Sequence, residues 1–272
     1  SAQSASKIPS TLKRPHAALA LEYGKLPMSF ERNEGQAQSD IKFLARGQGY
    51  AVALTNDGAI LSLYDTGDHQ SQAGRKATPR IQLVGANPNP EISGVDELPG
   101  KVNYVLGNDP KKWRTNLPTY SRILYKGVYP GIDMVYRGDQ GKLEFDFIVH
   151  PGADPNLIQI EDLGLNSLKL NGAGDLVAEV SGCTIFLKKP FTYQERGAKR
   201  REVASNFVRG KEGQIAFHVG AYDKSSELVI DPTLQYSTFL GAANPALYPF
   251  SLAVDGKGEA IVAGLVQGTF VV

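Results

Sequence analysis

Short apolar segments separated by turn sequences recur about every 8–12 residues along the chain, and this spacing constrains the fold more than any other feature. Between the apolar runs at residues 50–54 and 59–64, for example, lies Asn56-Asp57-Gly58. An Asp-Gly pair between two such runs predicts a β-hairpin closed by a type I′ turn. No stretch supports the regular alternation of strands with long helices that a doubly wound nucleotide-binding fold requires, so such a fold is not expected.

The segment at residues 142–149 shows the strand pattern most clearly. Leu143, Phe145, Phe147 and Val149 alternate with polar residues, which predicts a strand with one buried face. Further strands are predicted at residues 41–46, 80–84, 101–106, 122–125, 132–136, 168–170, 176–180, 191–196, 202–209, 215–219, 228–230, 234–239, 250–254, 259–263 and 269–272. The sequence therefore predicts an all-β protein of one or two sandwich-like units, built from antiparallel meanders and hairpins. Helix is confined to a short candidate at residues 16–23, which Gly24 would end.

The composition excludes several classes of protein. The 272 residues include 42% apolar side chains, which is enough for a real core, and the formal net charge is only +1. A chain this close to neutral gives no electrostatic reason to expect a nucleic-acid partner. There is no run of roughly 18 apolar residues, so no membrane-spanning helix is predicted. The single cysteine, Cys183, cannot form an intrachain disulfide and is interpreted as a small buried residue.

The sequence lacks the motifs that identify common catalytic and cofactor sites. The four histidines show no metal-ligand spacing, and neither a GxSxG elbow nor a phosphate-binding glycine loop occurs. No catalytic residue, cofactor or metal ion is therefore predicted. A glycoside hydrolase using Asp133, Glu144 and Asp146 is the least favoured hypothesis. Two carboxylates at i and i+2 on a strand lie roughly 7 Å apart, which such an enzyme permits, but an exposed strand face produces the same pattern.

Aromatic residues concentrate in one third of the chain and suggest a second kind of site. Tyr104, Trp113 and Tyr120 are the candidate ligand-binding residues, since aromatic rings can stack on sugars. Aromatic side chains also fill the cores of β-sandwiches, which is the commoner role. A glycan- or surface-binding adhesion module is therefore an alternative to a purely structural protein.

Several longer sequences carry a resemblance to a known family. They are SFERNEGQ at residues 29–36, LPGKVNY at residues 98–104, VYPGIDMVY at residues 128–136 and LVIDP at residues 228–232. In these sequences the chain resembles a bacterial domain of unknown function that precedes SBBP-type β-propeller repeats in large secreted or surface proteins. The resemblance covers roughly residues 24–232. No catalytic residues are known to us for that family, so it implies none here.

The end of the chain resembles one SBBP repeat. YSTFLG at residues 236–241 and LAVDGKGEAIVAG at residues 252–264 fit its pattern. We therefore predict three parts: an N-terminal extension at residues 1–23, a β-rich domain at residues 24–232 and a single propeller-like blade at residues 233–272. Relatives usually carry several repeats, and a single blade leaves open strand edges.

These open edges lead to the main functional hypothesis, a non-enzymatic structural protein that self-assembles by β-strand addition as a filament or surface-coat subunit. Ser1, Ile8, Leu12, Phe239, Val262, Phe270, Val271 and Val272 are the candidate assembly residues. A truncated propeller protein is the plainer alternative. The start of the chain, Ser1-Ala2-Gln3, lacks Met and resembles the product of signal-peptide removal. We therefore expect an extracellular or cell-surface protein.

Overall fold

The computed structural model describes residues 28–47, 50–64, 75–105, 108–139, 142–161, 168–180, 183–197, 199–210, 214–238, 247–254 and 260–266. These residues form three antiparallel sheets, so the predicted all-β class is confirmed. Their only helical pieces are two 3-10 turns, at Pro110–Lys112 and Pro155–Leu157. Within the described ranges no helix is long and apolar enough to cross a membrane. The helix predicted at residues 16–23 lies outside the described residues.

The first part of the large sheet is a meander. Its strands are β1 (Phe30–Arg32), β2 (Phe43–Gly47), β3 (Tyr50–Leu54), β4 (Gly58–Tyr64), β5 (Arg75–Ala77) and β6 (Arg80–Gln82). Strands β1 to β4 pair in chain order, each with the next, and β4 pairs on its other side with both β5 and β6. The predicted hairpin between β3 and β4 is present, but its turn is not type I′. That turn needs positive φ at Asn56 and Asp57, and neither has it. The residue of this turn that has to be a glycine is Gly58, because a Cβ there would lie 1.8 Å from the Ile81 carbonyl oxygen.

Two long strands follow the meander along the chain. Strand β7 (Glu91–Tyr104) pairs with β8 (Arg114–Tyr129), which pairs in turn with β9 (Ile132–Asp139). The first half of β8 also pairs with β1. Strand β10 (Lys142–Val149) then pairs with β9 over its whole length. The longest strands therefore lie next to each other.

The remaining strands complete the large sheet beyond β10 and form two smaller sheets. They are β11 (Gln159–Ile160), β12 (Lys169–Leu170), β13 (Leu176–Val180), β14 (Cys183–Leu187), β15 (Phe191–Arg196), β16 (Lys199–Val203), β17 (Ser205–Arg209), β18 (Ile215–Val219), β19 (Leu228–Asp231), β20 (Thr233–Thr238), β21 (Leu247–Val254) and β22 (Ala260–Val266). Strands β11, β17 and β18 form a separate sheet, and β21 pairs with β22. Because β20 pairs with β10 and β14, the large sheet continues to Thr238, beyond the predicted boundary at residue 232.

One apolar core joins the large sheet to the sheet of β11, β17 and β18. The side chains of Leu143, Phe145, Phe147 and Val149 are buried, as the period-two pattern of β10 predicts. Ring contacts then run from Tyr125 through Tyr136, Phe145 and Phe147 to Phe217 on β18. The same buried cluster contains residues from β1 to β20. The described β-rich region is therefore packed around one continuous core.

Candidate assembly edge and predicted ligand residues

Strand β7 is an open edge of the large sheet. It has 14 residues, which corresponds to about 45 Å of extended chain. Its one pairing partner among the described residues is β8, so within that part of the chain the backbone N–H and C=O groups on its other side pair with no strand. Such an edge is a template for pairing with another strand. Two other strands with one described partner, β16 and β17, have five residues each.

Only the first part of β7 is regular enough to accept a straight strand. From Glu91 to Val95 the register with β8 is uninterrupted. Asp96 then adopts φ 55°, and two register shifts follow, between Leu98 and Lys101 and between Val102 and Tyr104. Bulges and an edge proline such as Pro99 are devices that discourage edge pairing. The usable edge is therefore residues 91–95, which we call the β7 edge.

The β7 edge and the edge at β16 differ in how many charged residues they carry. Strand β16 reads KRREV and is exposed at four of its five residues. Charged side chains along an edge oppose pairing with another chain. The β7 edge reads EISGV and carries one charge, at Glu91. Charged side chains thus protect the β16 edge against pairing, and the β7 edge lacks that protection.

Tyr120, one of the predicted ligand-binding residues, supports the β7 edge from one face of the sheet. Its ring meets Phe43 edge-on, with 6.0 Å between ring centroids. A Cβ at Gly94 would come within 2.5 Å of three Tyr120 ring atoms, so the ring lies directly over the glycine backbone. A glycine weakens a strand, and a covering aromatic ring compensates for its missing side chain. Tyr120 therefore has a structural role in keeping this edge extended.

Tyr104 fixes the other end of β7 to the first meander. Its hydroxyl donates to the Glu31 carboxylate and accepts from Arg46, and the Arg46 guanidinium lies 5.4 Å from the centre of its ring. Glu31 is buried, and its Oε1 also accepts from Arg46 Nη1 at 2.5 Å. Burial and the bond to Glu31 both raise the pKa of Tyr104. These contacts anchor the last residue of β7 to β1 and β2.

Trp113 lies in the connection between β7 and β8. It follows the 3-10 turn at Pro110–Lys112, where Asp109 caps the turn by accepting from Lys111 N, and its own N–H donates to the Pro110 carbonyl. Its side chain is half-buried. The three predicted aromatic residues therefore all belong to one hairpin, and all three have interactions within the protein. A glycan-binding role for them stays a prediction.

The carboxylates predicted for a hydrolase are bound to one arginine that sequence reasoning missed. Arg137 of β9 lies opposite Glu144 of β10 and forms ion pairs with Glu144, Asp146 and Asp231. Its Nε lies 2.9 Å from Asp146 Oδ2 and its Nη2 lies 2.8 Å from Asp231 Oδ2. We call these four residues the Arg137 cluster. Both predicted acids are thus held by a cation rather than aimed at a cleft.

The Arg137 cluster holds three carboxylates against one cation in a largely buried place. Burial raises the pKa of Asp231 to about 7, and the neighbouring Asp146 carboxylate acts in the same direction, while Arg137 opposes the shift. Burial also disfavours the Arg137 charge, but its bond to Asp146 and the surrounding carboxylates raise its pKa on balance. Asp231 Oδ1 is buried without a hydrogen-bond partner. Asp231 therefore carries a proton over part of the neutral pH range.

Asp133, the third predicted acid, belongs to a different contact. Its Oδ2 lies 2.9 Å from His150 Nε2, and its Oδ1 accepts from the Gly127 N–H at 2.7 Å. The other nitrogen of His150 lies 3.4 Å from Glu227. Asp133, on β9, thus ties the last part of β8 to the residue that follows β10. Among the described residues no group of three or more His, Cys, Asp or Glu could hold a metal ion.

The predicted assembly residues fall mostly outside the described part of the chain. Only Val262 lies within it, on β22, where it pairs with Leu252 of β21. Ser1, Ile8, Leu12, Phe239, Phe270, Val271 and Val272 lie outside the described residues. Strands β21 and β22 pair with each other and with no other described strand.

Comparison with known proteins defines the family. No curated protein and no solved structure matches the chain. A family model described as a domain of unknown function, DUF7948, matches residues 30–233, in agreement with the predicted resemblance over residues 24–232. The matched region begins at β1 and includes the β7 edge and the Arg137 cluster. Since the match covers more than half of its length, the chain belongs to the DUF7948 family of domains of unknown function.

Proposed function

We propose that this protein is a non-enzymatic structural subunit of the cell exterior that self-associates by β-strand addition at the β7 edge. The observation that carries the proposal is the five-residue run from Glu91 to Val95, which is regular, almost uncharged and open on one side. Strand addition uses main-chain hydrogen bonds, which need no particular side chains on the incoming strand. The edge is also held in place before association, because Tyr120 covers Gly94 and Tyr104 anchors the end of the strand.

A second copy of the chain offers a strand for this edge. Strand β22 reads AIVAGLV, seven residues without a charge, and β21 is its one described partner. A two-stranded hairpin is marginal in water by itself and gains from a third strand. If β22 of one copy adds to the β7 edge of the next, the contact is head-to-tail and can continue as a filament. This donor strand falls in the SBBP-like segment, and the proposed extracellular location rests on the same resemblance.

A structural role accounts for the charged residues better than a hydrolase does. Glu144 and Asp146 both form ion pairs with Arg137, and Asp133 is hydrogen-bonded to His150 and to a backbone N–H. A glycosidase needs a protonated acid and a free carboxylate facing a substrate cleft. The proposal therefore assigns these acids to holding β9, β10 and β19 together.

Hydrogen exchange combined with mass measurement tests the proposal. We expect the full chain to associate as its concentration rises in light scattering, and the amides of residues 91–95 to exchange more slowly in the associated form. Ser93→Lys adds a charge at the β7 edge and should weaken association by about tenfold without changing the melting temperature. Asn206→Lys is the matched control, because it places the same charge on β17, another strand with one partner.

Two results would contradict strand addition at this edge. One is a chain that stays monomeric at every concentration. The other is an oligomer in which residues 91–95 exchange as fast as in the monomer, or which Asn206→Lys weakens as much as Ser93→Lys does.

A further inference from the structure

We propose that a groove beside the β1–β2 loop binds an acidic polysaccharide, a binding function separate from self-association. The groove consists of two neighbouring cavities of about 580 and 390 Å3. Lys42 and Asn56 line both cavities, so the two lie side by side. We call this pair of cavities the loop groove. Their sizes are in the range of ordinary ligand sites, and two adjacent cavities suit a ligand made of repeating units.

One wall of the loop groove is rigid because a single asparagine organises it. The side-chain amide of Asn33 donates to the carbonyls of Gln38 and Ile41, at 2.8 Å each, and its Oδ1 accepts from the N–H groups of Gly35 and Ala37. From outside the loop, Arg114 Nε donates to the Glu34 carbonyl at 2.8 Å. A wall held this way loses little freedom when a ligand binds, which favours affinity.

Three cations line the loop groove. Arg32 lines the larger cavity, Lys42 lines both and Arg80 lines the smaller. The guanidinium of Arg32 lies 5.5 Å from the centre of the Phe43 ring, and Lys42 Nζ makes one long contact, 3.4 Å, to the Ser39 carbonyl. Within the described ranges none of the three forms an ion pair with a carboxylate. They are therefore available to the carboxylates or sulfates of a ligand.

The acidic residues of the loop groove narrow the class of ligand. Glu34 lines the larger cavity, and Asp40 and Asp57 line the smaller. Asp57 accepts from Thr55 and Gln82, whereas within the described part of the chain the carboxylates of Glu34 and Asp40 accept no hydrogen bond. A simple anion would be repelled by them. A sugar acid offers hydroxyl groups that donate to carboxylates and acidic groups that accept from arginine and lysine. Both kinds of lining residue then have a partner.

The apolar lining of the loop groove fits a sugar better than a protein partner. Phe43, Ala59 and Ile81 are between 2% and 4% exposed, so they form a floor and offer little contact area. Protein partners usually insert large apolar or aromatic anchors into pockets, and the loop groove has no such open pocket among its described residues. Half-buried Pro90 and Ile92 provide modest apolar surface for the C–H face of a sugar ring.

Calorimetric titration of the full chain with defined acidic oligosaccharides tests the inference. The probes are oligogalacturonate, oligomannuronate and a hyaluronan hexasaccharide, each compared with its neutral methyl ester. We expect at least one acidic probe to bind, and its ester to bind at least tenfold more weakly. Arg32→Gln, Lys42→Gln and Arg80→Gln should each reduce affinity about fivefold, since each removes one charged hydrogen-bond donor. Arg201→Gln, which removes a cation from β16, is the matched control and should leave affinity unchanged.

The inference is overturned if no acidic probe binds, if esters and acids bind equally, or if all three groove variants leave the affinity intact. Equal binding of inorganic sulfate would show a simple anion site instead. Tighter binding of an acidic peptide such as hexaglutamate would mean that the loop groove serves a protein partner. Since three separate variants report on the loop groove, a folding defect in one of them does not remove the test. Light scattering on the groove variants should show unchanged self-association, because none of the three cations lies on the β7 edge, although Ile92 borders both sites.

Discussion

At the scale of single residues, the Arg137 cluster makes folding depend on pH in an unusual direction. Asp231 faces Glu144 and Asp146 from β10 and Arg137 from β9, with Tyr193 of β15 and its neighbour Arg200 close by. The pKa of Asp231 is raised from 3.8 to about 7 in the folded protein. Between about pH 4 and pH 7 the folded protein therefore keeps a proton that the unfolded chain has lost. This group stabilises the protein at low pH, and that contribution is lost as the pH rises through 7.

The change Asp231→Asn tests this direction. We expect the variant to gain stability relative to the native chain as the pH rises from 5 to 8, by on the order of 2 kcal/mol. The full rise in the pKa of Asp231 corresponds to about 4 kcal/mol of folding free energy, and solvent screening reduces this contribution. Urea unfolding at several pH values measures the difference. A difference between the two proteins that stays constant from pH 5 to pH 8 would contradict the raised pKa.

The pKa of Asp175 is shifted in the opposite direction from that of Asp231. Burial would raise its pKa, but bonds from Lys188 Nζ, the Lys189 N–H and Asn171 lower it on balance. Its stabilising effect is therefore present at neutral pH and lost as the pH falls through its lowered pKa. Asp175→Asn should reduce stability at pH 7 by about 2 kcal/mol, because a buried charged hydrogen-bond network loses its acceptor. In urea unfolding this loss should shrink towards pH 3, and a loss that grows there would contradict the assignment.

The sequence could predict which acids share a strand face but not what they bind. The alternation in residues 142–149 correctly places Glu144 and Asp146 on the face opposite the buried Phe145 and Phe147. Their partner Arg137 stands across a hairpin, where pairing can be predicted. Asp231 comes from 94 residues beyond Arg137, and β19 brings it there by pairing with β10. Local patterns carry no information about that distant pairing.

At the scale of elements, β7 shows why a strand can escape prediction. The sequence predicts a strand in this region only at residues 101–106. The structure instead has one strand from Glu91 to Tyr104. An edge strand tolerates proline and bulges because only one side must pair, and both register shifts of β7 lie near or beyond Pro99. A pattern derived from central strands cannot identify such an edge.

The same element supports a prediction about Gly94. A Cβ at this position would lie 2.4 Å from the Tyr120 ring, which itself packs against buried Phe43. Gly94→Ala should therefore reduce the free energy of unfolding by about 1–3 kcal/mol, since the ring must move. Gly172→Ala is the control, because no atom lies within 4 Å of its added Cβ. Equal effects of the two substitutions in chemical unfolding would contradict the covering role of Tyr120.

At the scale of the whole molecule, the continuous core predicts that the two described ends of the β-rich domain unfold together. The contact of Phe147 with Phe217, 5.8 Å between ring centroids, joins β10 to the sheet of β11, β17 and β18. Phe207 lies 5.5 Å from Phe217 on the other side. The sequence predicts one or two sandwich-like units but cannot decide between them, because strand patterns identify buried faces and not which faces meet.

Phe217→Leu tests whether the core acts as one unit. The smaller side chain leaves a cavity in the core, which should cost on the order of 2 kcal/mol. The single tryptophan, Trp113, lies on the β7–β8 hairpin, in a different sheet from Phe217, so its fluorescence reports on another part of the molecule. We expect the urea midpoint from Trp113 fluorescence to fall by the same amount as the midpoint from far-ultraviolet circular dichroism. If the fluorescence midpoint stayed at its native value while the circular dichroism midpoint fell, the region around β18 would be unfolding by itself. The domain would then consist of two separately stable units, with the ring contacts between Phe147 and Phe217 contributing little to their coupling.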